Sequence, residues 1–349
     1  MKAAMLRDTV SNLGLNAIPL QGDGGSLLVL QRGGRVIGIH PSADEDNVLW
    51  VNPLLNRSEA AVSDYVRGQD WNIGGDRTWV SPEVVYYIRN VESMWDSYVV
   101  QPAIDPGQYQ FIRQQRDEVR LVQEVALHTY RPMGEIEFRM EKAVRITADP
   151  LSAIREDFGD APYAFAGYEQ DVSLTVRHNP LGVPLSSWQI MQVPAGGQVL
   201  IPTYGTAGVC DFFEPTGSSH LSVGHGAAFF RLDGKERHKI SVKAPYVTGR
   251  AGYVRQSGDQ AWTLLIRNFS VHPSGSYRDV PVNNLQDDGH CLQCYNDDGK
   301  LGAFGEIEYH APVVTATGER SFDRSQVWAY QGDGATIRSI AAALLGMAI

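Results

Sequence analysis

Apolar and polar residues alternate with a period of two along most of the chain, the signature of strands that bury one face. Ile136, Phe138 and Met140 alternate with Glu137, Arg139 and Glu141, and Val172, Leu174 and Val176 alternate with Ser173, Thr175 and Arg177. The pattern returns at Ile240 and Val242 and again at Trp262, Leu264 and Ile266. Leu28 to Gln31 and Arg35 to His40 flank Gly33 and Gly34, which predicts a hairpin whose glycines supply the positive φ of the turn. A helical period is visible only at the end, where Thr336, Ile337, Ile340, Ala341, Leu344 and Leu345 mark one face of a short amphipathic helix over about 335–346. No Pro/Ser-rich linker or step in charge divides the chain. The pattern therefore predicts an all-β fold: one large antiparallel β-sandwich over residues 1–349, closed by that helix. GEIEF at 134–138 recurs as GEIEY at 305–309; short alternating strands draw on few residue types, so this echo is read as coincidence.

Composition narrows the picture. The chain has 349 residues, 43% of them hydrophobic and 20% charged, enough apolar surface to offset the entropy of ordering it. Its 35 Gly and 18 Pro suit many short strands joined by turns. Asp and Glu number 40 against 30 Lys and Arg, a formal net charge of −10, and no basic footprint for nucleic acid exists. The longest uncharged stretch, Asn179 to Cys210, is interrupted by Pro180, Pro184, Pro194 and Pro202 and predicts buried strands, not a membrane helix. Met1 to Leu20 carries Lys2, Arg7 and Asp8 and lacks the apolar run of a secretory signal. With only three cysteines there is no disulfide framework, and a cytoplasmic location is expected.

Two segments carry candidate chemistry. In FGEIEYHAP (304–312) an extended strand presents Glu306, Glu308 and His310 on one face, about 7 Å apart. Such a row supplies an acid, a base and an orienting partner, or ligands for a hard cation, if it is not a solvated outer face. Gly305 leaves room for a backbone or ligand to approach. In WNIGGDRTWVSPE (71–83), Gly74 and Gly75 permit a tight turn, followed by Asp76 and Arg77 between Trp71 and Trp79. Aromatic faces beside a guanidinium and a carboxylate suit a sugar, which offers a C–H face for stacking and hydroxyls for hydrogen bonds; the alternative is a hairpin with packed tryptophans. Glu83 with Glu308 is a possible carboxylate pair from different strands. Tyr277, in SYRD with Arg278 and Asp279, is either a proton donor in a cleft or a packed tyrosine.

Other clusters argue against a metal. His220 and His225 match no zinc spacing, and Cys291 with Cys294 is a single C-x-x-C after His290 with no second pair. Motifs of serine hydrolases, P-loop enzymes, zincins and dinucleotide enzymes are absent. No metal and no cofactor are expected.

Four segments, GGRVIGIHPSADEDNVLWVNP (33–53), GGDRTWVSPE (74–83), VSLTVRHNPLGVPLSSWQIMQVPAGG (172–197) and FGEIEYHAP (304–312), together resemble, in order and spacing, the galactose mutarotase-like (aldose epimerase-like) superfamily, and more narrowly an uncharacterised bacterial branch of it. The resemblance covers most of the chain. It implies a β-supersandwich with a carbohydrate in the cleft of a curved sheet, and an acid/base pair of histidine and glutamate. Trp188 to Met191 stand where a mutarotase would carry its second histidine, so only the late glutamate has a counterpart, Glu306 or Glu308. The expectation is a carbohydrate-processing enzyme with epimerase- or lyase-like chemistry. Glu306 or Glu308 is its base and His310 its acid or orienter; Arg77, Asp76, Trp71, Trp79, Glu83 and Tyr277 bind the sugar. The alternatives are a non-catalytic carbohydrate-binding module and a glycoside hydrolase with two carboxylates. Neither nucleic acid nor membrane is an expected partner, and the oligomeric state is not indicated.

Overall fold

A computed structural model describes residues 1–22, 25–57, 62–63, 67–68, 70–154 and 162–348. Among these residues the strands form two nine-stranded sheets. The first runs in the order β1 (Ala17–Gln21), β2 (Ser26–Leu30), β3 (Arg35–His40), β4 (Asp76–Ser81), β9 (Ser186–Pro194), β17 (Phe304–His310), β16 (His290–Asn296), β13 (His238–Lys243), β11 (Val209–Asp211). The second runs β12 (Leu221–Leu232), β10 (Gly197–Thr206), β14 (Arg250–Gln256), β15 (Ala261–Phe269), β18 (Arg320–Asp333), β8 (Tyr163–His178), β7 (Met133–Ile146), β6 (Glu118–Tyr130), β5 (Gln110–Gln114). Neighbours pair antiparallel, and the all-β sandwich expected from the alternation is the observed fold.

The period-two residues do what their spacing predicts. Ile136, Phe138 and Met140 of β7, Val172, Leu174 and Val176 of β8, and Ile240 and Val242 of β13 share one buried cluster with Val36, Val80 and Ile307. Leu264 and Ile266 face the other side of the second sheet, where the C-terminal helix Gly334–Leu345 covers them with Ile337, Ile340 and Leu344. Asp333 caps that helix by accepting from Ala335 N and Thr336 N, and Gly346 ends it at φ 66°.

The β2–β3 hairpin forms around Gly33 and Gly34, both at positive φ. The expectation that helical periodicity occurs only at the end is corrected by a helix at Ala3–Asn12. It buries only Leu6 and Val10, one i, i+4 pair docked beside Leu28 and Ile37, too sparse a stripe for the pattern to reveal. No described helix is long and apolar enough to cross a membrane.

Register in the first sheet gathers the chemistry. Arg77 pairs with Ile190, and Trp79 with Trp188; Glu308 pairs with Ile190, and His310 with Trp188. Glu306 pairs with Tyr295, which in turn pairs with Lys239. Directly paired residues share a face, so these side chains lie together on the side of the first sheet turned away from the second.

Candidate functional site

That outer face is not solvated. The segments carrying Trp71, Trp95, Tyr98, Phe213 and Leu301 flank it and form a half-open cavity of about 310 Å³. Its floor is Arg77, Trp79, Trp188, Ile190, Lys239, Tyr295, Glu306 and Glu308, with Glu83 and Arg237 at its side. Its size and its lining, half aromatic with six charged residues among the sixteen, suit a polar small molecule. Gly74 and Gly75 build the turn that delivers Arg77: at φ 105° and 85°, any Cβ there would strike the backbone of Trp50 and Val36.

Two ionic arrangements lie on the cavity floor, and at its side Arg237 pairs with Asp298 at 3.2 Å. Arg77 Nη2 donates to Glu306 Oε1 at 2.9 Å, and the guanidinium sits over the rings of Trp79 (4.4 Å) and Trp71 (5.1 Å). Its Nε and Nη1 are buried without a hydrogen-bond acceptor. Lys239 Nζ lies 3.2 Å from both Glu83 Oε2 and Glu308 Oε2 and 4.7 Å above the Trp188 ring. Trp188 Nε1 donates to Glu308 Oε2 at 2.9 Å, whereas Glu308 Oε1 has no hydrogen-bond partner. Tyr98 OH donates to Glu83 Oε1 at 2.9 Å.

Burial sets the proton affinities. Glu308, fully buried, has its pKa pushed up to about 8 by desolvation; Lys239 opposes the shift, and the charges of Glu306 and Glu83 add to it. Glu83 is raised by the same burial, against Lys239. Desolvation alone would depress Lys239, but Glu308, then Glu83 and Asp279, outweigh it and hold the ammonium charged.

Of the residues expected from sequence, Glu306, Glu308, Arg77, Trp79, Trp71 and Glu83 share this cavity, with Arg77 in direct contact with the glutamate row. Three do not. Asp76, one position from Arg77, faces the space between the sheets, 2.6 Å from Arg267 and bonded to Tyr168 OH; strand alternation separates the two neighbours. His310 shares the face of Glu306 and Glu308 but lies beyond the cavity, its ring stacked on Trp188, with Nδ1 2.9 Å from Ser81 Oγ. Burial, then the charges of Lys239 and His290, hold its pKa well below 6.5, so it is neutral and not placed to protonate a ligand. Tyr277 is a packed tyrosine: its oxygen accepts from His272 N, and burial pushes its pKa to about 12. Its neighbour Asp279 works beneath the floor, accepting from Glu83 N (2.5 Å) and Gln293 Nε2 (2.7 Å). The space beside Gly305 is filled by Leu232 rather than by a ligand. Cys291 and Cys294 are buried in the main core.

Sequence reasoning missed Lys239, Tyr98, Trp95, Arg237, Phe213 and Tyr295. A signal for two of them exists: Arg237, Lys239, Ser241 and Lys243 alternate with Ile240 and Val242, a basic row on the face opposite the core.

Comparisons with known proteins agree with this architecture. A putative aldose 1-epimerase from Escherichia coli K12 superposes with a TM-score of 0.55 at 14% identity, over 90% of this chain and 99% of that one. A galactose mutarotase related enzyme from Lactobacillus acidophilus gives 0.48 at 7% identity over 92% and 98%. A galactose mutarotase-like protein from Lactobacillus casei ATCC 334 gives 0.47 at 10% over 90% and 100%. No curated protein matches the chain. A family model covering residues 34–349 does match, and the chain, whose sandwich is similar in fold to the putative aldose 1-epimerase, accordingly belongs to DUF6786, a family of unknown function.

Proposed function

We propose that the cavity binds a monosaccharide and interconverts its anomers or epimers by acid/base chemistry. One observation carries this reading: the chain Glu83–Lys239–Glu308, in which a buried carboxyl with a pKa of about 8 keeps one oxygen unpaired and shares an ammonium with a second carboxylate. A base poised near neutral pH is what proton transfer at a hydroxyl requires. The likeness to a putative aldose 1-epimerase supports the substrate class, and the tryptophans offer stacking faces for a sugar ring.

In this reading Glu308 Oε1 takes the proton of the anomeric hydroxyl. The C1–O5 bond breaks with its electron pair going to the ring oxygen, which receives a proton from Lys239 Nζ. The two transfers help each other. Protonating Glu308 removes the charge that most raises the Lys239 pKa, so the ammonium becomes a better acid as the base is consumed. Rotation about C1–C2 and the reverse transfers close the ring as the other anomer. Arg77 is already neutralised by Glu306, which favours a neutral sugar over the acidic sugar of a lyase.

Exchange between anomers across a panel of aldoses, followed by NMR magnetisation transfer, tests the reading. Glu308→Gln is expected to slow exchange by about 10²–10⁴-fold while the sugar still binds. Unchanged exchange in both Glu308→Gln and Lys239→Met would make the assignment wrong. Binding by the native protein without exchange or any product would identify a carbohydrate-binding module instead, the alternative favoured by the lack of a histidine among the described lining residues.

A further inference from the structure

At the far edge of the first sheet, on the same outer face, Cys210, Asp287 and His290 bring Sγ, a carboxylate oxygen and an imidazole nitrogen within 4.8 Å of one another. Cys210 lies on the edge strand β11 opposite Ser241, and His290 opens β16 opposite Lys243. The His290 ring is fully buried, and Ser241 Oγ bonds its Nδ1. Phe212 abuts it edge-on at 5.5 Å between centroids. Nε2 has no hydrogen bond; it lies 3.4 Å from Asp287 Oδ2, which in turn is 4.0 Å from Cys210 Sγ. The other Asp287 oxygen is held by Lys243 Nζ.

We propose that Cys210, Asp287 and His290 form a zinc-type metal site, with a solvent molecule or external ligand as the fourth donor. The donor set is the first reason: thiolate, imidazole and carboxylate together are zinc ligands. Spacing is the second. Tetrahedral ligands at ordinary Zn–N, Zn–O and Zn–S distances stand roughly 3.4 Å (N to O) and 3.6 Å (S to O) apart, against the observed 3.4 and 4.0 Å. The third reason is the surroundings. Ser241 Oγ engages Nδ1, so that in the tautomer with Nδ1 protonated the Nε2 lone pair is left for a metal beside Asp287 Oδ2, and Lys243 holds the other carboxylate oxygen; such partners orient metal ligands.

A Cys–His–Asp nucleophile fits less well. Such a relay needs the thiol and the carboxylate on opposite ring nitrogens, whereas here Asp287 stands at Nε2 and Ser241, not the thiol, occupies Nδ1. The second histidine cluster, His220, Glu236 and His238, is also weaker, because both His220 nitrogens already have partners in Ser219 and Asp233. Bound metal would tie the edge strand β11 to β16 and fix the following Phe212, whose ring lies 5.3 Å from Lys239 Nζ.

The test uses the full-length protein after dialysis against a chelator, titrated with Zn²⁺ by calorimetry and with Co²⁺ by absorption. One equivalent is expected to bind, and Co²⁺ to give a thiolate-to-cobalt charge-transfer band in the near ultraviolet. Cys210→Ser, a same-shape change on a half-exposed edge strand, is expected to abolish the band and weaken Zn²⁺ by at least about a hundredfold, as is His290→Ala; Ser241→Ala costs roughly 10–100-fold. His220→Ala leaves binding unchanged. Circular dichroism of each variant verifies the fold. The proposal fails if no stoichiometric metal binds, if the band survives Cys210→Ser, or if binding is lost with His220→Ala. None of these readouts depends on sugar turnover.

Discussion

The same five-residue pattern occurs twice with opposite outcomes. In β7, GEIEF (134–138) buries Ile136 and Phe138 and leaves Glu135 and Glu137 exposed. In β17, GEIEY (305–309) is buried on both faces, Glu306 and Glu308 included. The strands themselves are alike, each alternating in a nine-stranded sheet. What differs is the covering: water lies over the glutamates of β7, while the segments of Trp71, Trp95, Tyr98 and Phe213 cover those of β17. A covering raises a glutamate from a solubilising group to a titratable centre, and it obliges the chain to provide partners, here Arg77 and Lys239, because an unpaired buried charge is very costly.

Substitutions break or sharpen this contrast in order of size. Lys239→Met leaves two buried carboxylates facing each other and is expected to destabilise the fold by about 3–5 kcal/mol in urea unfolding; a loss below about 1 kcal/mol would mean that the covered face is wet after all. Glu306→Gln, which leaves Arg77 with a neutral partner, should cost about 1–3 kcal/mol.

The pH dependence comes next. The folded pKa of Glu308, about 8, lies above its ordinary 4.5. The stability this carboxyl contributes is therefore complete below about pH 4.5 and is lost as pH rises through 8, with Glu83 adding in the same direction. Denaturation midpoints measured from pH 5 to 9 should fall in the native protein, by at least about 1 kcal/mol of stability, and fall less in Glu308→Gln; equal slopes would remove the carboxyl from the account. The smallest effects belong to β7: Glu135→Gln and Glu137→Gln should each stay within about 0.5 kcal/mol at any of these pH values.

Much of this was legible in the sequence, and the exceptions have physical causes. The sandwich and the hairpin at Gly33–Gly34 follow from alternation and turn chemistry, which are local; the meeting of Arg77 with Glu306 depends on β9 lying between β4 and β17, a strand order that the local pattern does not carry. Alternation also separates Asp76 from Arg77, yet proximity along the chain suggested that both served one ligand; the period was the better guide. His310 keeps its predicted face but sits past the edge of the cavity, and where a cavity stops is decided by the segments that wall it. Lys239 is hidden because the strand signal of β13 lies in the apolar Ile240 and Val242, and a lysine on the opposite face ordinarily reaches solvent. Tyr98, Trp95 and Phe213 come from segments with no strand periodicity, so only tertiary structure brings them over the sheet.

Trp188 gives the molecule an optical consequence. Its indole donates to Glu308, supports the ammonium of Lys239 and stacks on His310, and with Trp71, Trp79 and Trp95 it makes four of the seven tryptophans residents of one cavity. Intrinsic fluorescence is thus weighted toward the site rather than spread over the fold. On the proposed function, emission recorded against a library of unlabelled sugars is expected to report occupancy, and a pH titration of the same signal to follow the Glu308 proton.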